Sequence, residues 1–281
     1  MAKILIAGCG DIGRRLAREL ADAGHEVFGL RRSPFTMPGV QALCGDVTDP
    51  ASLHFPAGLD YVFVILSPGE SGPDAYRRVY LEGTANVLQV LKGQQLRRIF
   101  WVSSSSVYGQ EDGGWVDEDS PAQPDSVTAR VLLEAEALLE HSAWPATVVR
   151  FAGIYGPGRL RLQRWVASGR PVQAEPPLWT NRIHVEDCSG LLFFLVVQDV
   201  AGTLLASRYI GVDNQPALQQ DVLDWLADTL ALPHVAGEIR PGAGSNKRLS
   251  NRRISALGYE LRFPGYTEGY RAVMGVTEET G

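Results

Sequence analysis

The chain has 281 residues, 45% hydrophobic and 21% charged, a composition that supports one large globular domain or a domain with an appended lobe. A formal net charge of −6 without a dense Lys/Arg run excludes a nucleic-acid surface, and three scattered cysteines encode neither a disulfide framework nor a metal site. The longest apolar run, "LLFFLVV" at 191–197, is far shorter than the roughly 20 residues that span a bilayer, and "MAKILIAG" runs into a strand rather than a cleavable leader, so a cytoplasmic protein with no membrane partner is expected.

Strand-length apolar runs then alternate with amphipathic helical stretches. "KILIA" (3–7) precedes "DIGRRLARELADAG", which closes on Gly24. "EVFGL" (26–30) and "YVFVIL" (61–66) follow, then "AYRRVYLEGTANVLQVLKG" closing on Gly93, and "RRIFWVS" (97–103). "SVTARVLLEAEALLEHS" carries Val131, Leu132, Ala135, Leu138 and Leu139 on one stripe, with Glu134 and Glu140 on the other side, before the strand "ATVVRF" (146–151). Nearly continuous apolar strands separated by helices predict an α/β fold with a doubly wound parallel sheet. After residue 155 the rhythm breaks into "YGPGRL", "RPVQAEPPLW" and "RPGAGSN", mixed with helices expected over 186–198 and 217–231. The expected organisation is a dinucleotide-binding domain over 1–155, to which 181–205 returns, and a smaller C-terminal substrate lobe from 156–180 and 206–281.

"ILIAGCGDIGRRLA" sets Gly8, Gly10 and Gly13 in a G-x-G-x-x-G pattern between the first strand and the first helix. Such a turn lets the backbone approach a pyrophosphate, while the helix N-terminus, begun by Asp11 and Ile12, offers unpaired N–H groups. The sheet is therefore expected to be Rossmann-type. An NAD site would next carry an acid at the end of the second strand; "FGLRRSP" instead has Arg31 and Arg32, which match a 2′-phosphate, so NADP (NADPH) is expected over NAD.

These features, with "GDVTD" (45–49), "LEGTANVL" (81–88), "VSSSSVYG" (102–109), "RFAGIYGPGR" (150–159) and "NRIHVEDCSGLL" (181–192), resemble the short-chain dehydrogenase/reductase superfamily, in its extended, epimerase/dehydratase-like branch. The resemblance implies an NAD(P)-dependent oxidoreductase or epimerase acting on a small carbonyl or hydroxyl compound, nucleotide sugars included. It implies adenine contacts from Asp46 and Val47, further cofactor contacts from Leu66, Ser67, Ser103, Phe151 and Ile154, and a homodimer paired through helices near 76–92 and 126–141.

Aligned on "VYG", Ser104 falls on the family's catalytic hydroxyl. The family's tyrosine, and the lysine four residues after it, are absent: aligning Glu134 on the family's glutamate puts Ser126 and Arg130 in their places, and a shift of two residues offers Thr128 and Leu132. An aliphatic hydroxyl is too weak an acid to replace a tyrosine, and Arg130 can steady a ribose or an oxyanion but not shuttle a proton. Tyr80 stands where extended members commonly have asparagine, and Ala7 replaces the first glycine of their turn.

Tyr108 and Tyr155 read as aromatics packing their turns, His184, Glu186 and Asp187 as helix-start residues, and Asp117, Glu118 and Asp119 either as a solvated acidic loop or as one that approaches a substrate. Arg182, beside Trp179 and Asn181, reads either as a binder of phosphate or carboxylate or as half of a surface salt bridge. Two functions follow: an NADP-dependent enzyme with a rearranged site, or a non-catalytic NADP-binding redox sensor.

Overall fold

The computed structural model describes residues 1–234, 237–239 and 245–275; part of the Pro- and Gly-rich segment at 240–246 and the end of the expected lobe beyond 275 lie outside the described residues. Every apolar run expected as a strand forms one: β1 (Lys3–Ala7), β2 (Glu26–Arg31), β4 (Tyr61–Val64), β5 (Arg98–Ser104) and β6 (Ala146–Phe151), joined by β3 (Val40–Cys44) and β7 (Arg208–Gly211). They make one seven-stranded sheet in the order β7-β6-β5-β4-β1-β2-β3. From β3 through β5 the registers are parallel. The chain winds outward from β1 in one direction, then reverses to place β4 on its other side, which is the doubly wound Rossmann-type arrangement. β1 and β4 are buried along almost their whole length, as strands covered on both faces must be.

Helix α1 (Asp11–Asp22) stops at Gly24, whose φ of +81° suits a residue without a Cβ. Helix α2 runs over 73–90, with one wider π turn at Arg77–Glu82. Helix α3 (Val127–Glu140) buries Ala129, Val131, Leu132, Ala135, Glu136 and Leu139. Leu138, placed on the apolar stripe from sequence, is only half-buried, and Glu136 enters the core because Arg150 and Ser103 satisfy its carboxylate. Helix α4 spans Val185–Val200.

The chain divides into two compact units. One comprises Met1–Val107, Pro124–Arg150 and Cys188–Tyr209; the other comprises Tyr108–Gln123, Phe151–Asp187 and Ile210–Gly281. Within the second, Tyr155, Val172, Leu226 and Tyr270 share an apolar core, and strand Gly153–Tyr155 pairs in parallel with Arg182–His184. Among the described residues no helix is long and apolar enough to cross a membrane.

Candidate functional site

The first unit holds a cavity of about 230 Å³ at the C-terminal ends of β1, β2 and β4, where the winding direction reverses. Gly8, Gly10, Arg31, Arg32, Asp46, Val47, Leu66 and Ser67 all line it, and so do Leu30, Ser33, Gly45, Ile65 and Val79, which the sequence did not single out. Gly45 carried a signal, as the first residue of "GDVTD", and the structure gives its reason: a Cβ there would sit 2.7 Å from the Ser52 carbonyl oxygen.

Each glycine of the turn has its own reason. At Gly8 φ is +97° and a Cβ would lie 2.1 Å from the Ile65 carbonyl oxygen, so β4 passes too close for any side chain. At Gly13 a Cβ would meet the Gly8 carbonyl oxygen at 2.7 Å, where α1 packs onto the turn. Gly10 differs: its φ is −81°, and beyond its own chain neighbours no heavy atom of the described residues lies within 4 Å of a would-be Cβ. Because Gly10 lines the cavity, a side chain there would occupy ligand space, and the residues present therefore fit a dinucleotide phosphate approaching the backbone.

The adenine-side turn is built from three motifs. Asp46 Oδ1 accepts from the N–H and hydroxyl of Thr48, both at 2.9 Å, and the Asp46 N–H donates to Ser52 Oγ. Asn86 of α2 donates to the Val47 carbonyl at 2.8 Å, and a Cβ at Gly83 would strike Val47 at 2.8 Å. "LEGTANVL" thus supports "GDVTD". Arg31 lies over the Phe35 ring at 5.7 Å, and neither Arg31 nor Arg32 has an ion pair among the described residues.

The other expected cofactor contacts are not among the residues lining this cavity. Asp11 pairs with Arg15 at 3.1 Å, and Ile12 is buried. The Ser103 hydroxyl donates to Glu136 at 2.6 Å inside the core, and Glu136 is gripped by Arg150 through Nε at 3.0 Å and Nη2 at 2.5 Å. Phe151 and Ile154 belong to the second unit, where Ile154 borders a different cavity.

Ser104 is the last residue of β5, and its Oγ accepts the Ser106 N–H at 3.2 Å, so the four serines end a strand in a tight turn. Ser126 is the N-cap of α3; its Oγ accepts the Ala129 N–H at 3.2 Å. Arg130, in the first turn of α3, is exposed and without an ion pair among the described residues, while Glu134 pairs with Arg77 at 2.9 Å.

Tyr80 and Tyr155 are poorly suited to proton transfer. Burial pushes the Tyr80 phenol up to about 12 and raises Tyr155 further, with the Tyr155 ring 4.5 Å from Tyr270 and its hydroxyl donating to the Gly265 carbonyl. Two acids depart from expectation. Asp187 lies in the first turn of α4, as a helix-start residue should, yet it is fully buried and accepts the N–H groups of Arg262 and Phe263 at 2.7 and 3.0 Å. Glu118, expected in a solvated loop, is 4% exposed and accepts the Ile210 N–H at 2.8 Å.

Comparison with known proteins agrees with this geometry. The model of the NAD dependent epimerase/dehydratase family matches residues 4–201. A solved structure from Methylobacillus flagellatus, described as a candidate NAD-dependent epimerase/dehydratase, superposes with a TM-score of 0.83 at 42% identity, covering 98% of both chains. Protein YeeZ of Escherichia coli is 28% identical over 94% of this chain and 97% of its own. The 2-alkyl-3-oxoalkanoate reductase of Stenotrophomonas maltophilia is 29% identical over 83% of this chain and 77% of its own. With the glycine turn, the switch-point cavity and a family match over most of its length, the chain belongs to the NAD dependent epimerase/dehydratase family.

Proposed function

We propose that the protein is an NADP(H)-dependent oxidoreductase acting on a small carbonyl or hydroxyl compound. The observation that carries this reading is the Arg31–Arg32 pair on the cavity wall, in the position where an NAD-selective site holds an acid. With no carboxylate among the described residues paired to either guanidinium, both are available to a 2′-phosphate. A relative that reduces a 3-oxoalkanoate supports a carbonyl substrate.

When bound, the nicotinamide supplies or accepts the hydride. Ser104 holds the substrate oxygen by hydrogen bond, and Arg130 steadies negative charge on that oxygen or donates hydrogen bonds to the ribose hydroxyls. Neither is a base near neutral pH, so the proton is exchanged with water, at a rate lower by roughly 10²–10⁴ than a positioned acid/base would allow. One observation favours the second reading, a redox sensor without turnover: the Ser126 hydroxyl is already engaged in capping α3.

The test is fluorescence titration with NADPH and NADH, then a panel of carbonyl compounds screened for NADPH oxidation. NADPH should bind at least about tenfold more tightly than NADH, the preference should vanish in Arg31→Gln/Arg32→Gln, and Ser104→Ala should lose turnover. Preferential NADH binding would sink the NADP assignment. Tight NADPH binding with no oxidation across the panel would count against the enzyme reading and favour the sensor.

A further inference from the structure

The second unit contains a cavity of about 510 Å³, walled by residues from 115–118, 213–216 and 249–253, and within the roughly 300–1,000 Å³ of small-molecule sites. It shares no wall residue with the cofactor cavity. Strand Trp115–Val116 pairs in parallel with Arg248–Leu249, and the Ser250 N–H donates to the Val116 carbonyl at 2.9 Å, so backbone bonds join two of the three segments. Val116 is buried while Trp115 and Asp117 on either side of it are exposed; strand alternation turns the ring and the carboxylate to the same side.

Most polar groups on the wall are engaged within the protein. Glu118 accepts the Ile210 N–H at 2.8 Å and faces Arg253, which pairs with Asp119 at 2.6 Å. Asn251 donates to Asn214 Oδ1 at 2.5 Å, and Ser250 Oγ accepts the Arg252 N–H at 3.3 Å. Asp213 is 1% exposed and interacts with Arg182, which is itself buried rather than part of a surface salt bridge, so this acid presents no solvated charge.

Three groups stay open. Asp117 Oδ1 accepts the N–H groups of Asp119 and Ser120 and the Ser120 hydroxyl, while Oδ2 bonds nothing among the described residues. The Ser120 hydroxyl holds this carboxyl below its ordinary value, so it is ionised at neutral pH. Arg252 is exposed and has no ion pair among the described residues, so two opposite charges share one wall without pairing. The third group is the Trp115 ring, 61% exposed. The Arg248 guanidinium lies over both Trp115 and Trp179, 5.2 and 5.0 Å from the ring centroids, and its Nε donates to the Gly113 carbonyl at 2.8 Å. That cation backs one face of the indole and sets the ring before a ligand arrives.

We propose that this cavity binds a small zwitterion with a flat apolar group, the chemistry of an aromatic α-amino acid: Arg252 takes the carboxylate, Asp117 the ammonium, and Trp115 stacks on the side chain. A simple anion would meet Asp117 and a simple cation would meet Arg252, whereas a ligand with both charges satisfies the pair. The inference does not depend on the cofactor reading.

The test is calorimetric titration of the full-length chain with L-phenylalanine, N-acetyl-L-phenylalanine, L-phenylalaninamide and methyl glucoside. Phenylalanine should bind, and removing either of its charges should weaken it about threefold or more. Asp117→Asn, which keeps the Oδ1 acceptor, and Arg252→Gln should each cost a similar factor, and the double variant about tenfold. Trp115→Ala should weaken phenylalanine binding while NADPH affinity stays at the wild-type value, which shows an intact chain and keeps this result apart from the cofactor assignment. The proposal is overturned if phenylalanine does not bind at concentrations up to about 10 mM, if the uncharged-end analogues bind as tightly, if the substitutions leave binding untouched, or if the glucoside binds in its place.

Discussion

Ser103, Glu136 and Arg150 form one buried network in which a single carboxylate receives a serine hydroxyl and a two-pronged guanidinium. Glu136 and Arg150 are each 4% exposed at the side chain, so the pair trades hydration for geometry, and removal of one partner is far worse than its net contribution. Glu136→Ala should lower unfolding stability by about 3–5 kcal/mol, measured by urea denaturation near neutral pH. Glu136→Gln, which keeps an acceptor for Ser103, should lose less. The glycine turn allows a second test. Gly8→Ala drives a methyl into the Ile65 carbonyl and should unfold the turn, whereas Gly10→Ala meets no protein atom. Gly10→Ala should keep the wild-type Tm yet weaken NADPH by about tenfold or more, because its methyl occupies the cavity. A Gly10→Ala protein with wild-type affinity would show that no phosphate lies against that backbone.

Among the elements, α3 shows how far an alignment goes. Ser126 lies at the tyrosine position by sequence, and in the structure it begins the helix with φ −83° and ψ 146°, accepting the Ala129 N–H. Ser126→Ala should cost about 1 kcal/mol, and Ser126→Gly only a few tenths, because glycine is nearly as good an N-cap. If turnover per folded molecule falls equally in both variants, the hydroxyl does chemistry. If it survives in both while Tm follows the capping order, the residue is structural. Strand and helix positions were largely readable: β1 and β6 lie where their apolar runs end, and Gly24 and Gly93 mark stops at positive φ. β3 was not readable as an apolar run, since as an edge strand it leaves Gln41, Ala42 and Cys44 exposed. The π turn in α2 had no sequence signal. Glu136 was missed because helix periodicity ranks a carboxylate as outward unless its cation is known, and Arg150 arrives from another element.

At the scale of the whole molecule, the sequence hides buried acids whose partners are distant in the chain. Asp187 binds the backbone of Arg262 and Phe263, 75 and 76 positions away, and Glu118 binds that of Ile210, 92 away. Both appear in sequence as ordinary surface charge, yet they tie the strands and turns of the second unit together. Burial raises the carboxyls of Asp187, Glu118 and Asp213, and only Asp213 lacks a partner for one oxygen. This has a calculable sign. The Asp213 pKa rises from 3.8 to about 7 on folding, so between those values the folded chain holds a proton that the unfolded chain has released. Stability therefore falls as pH rises through that window, and the loss is complete only above the folded value. In Asp213→Asn the amide cannot ionise, its oxygen can still accept the Gln215 N–H, and this contribution to the slope disappears. Thermal unfolding from about pH 4 to about pH 8 should show the Tm of Asp213→Asn gaining on wild type as pH rises, whatever offset the variant carries at the acid end. Taking the difference cancels the other titrating groups to the extent that they act independently. Parallel Tm curves for the two proteins would mean that Asp213 is already ionised in the folded chain across that range, with the Arg182 guanidinium outweighing the burial that raises its carboxyl.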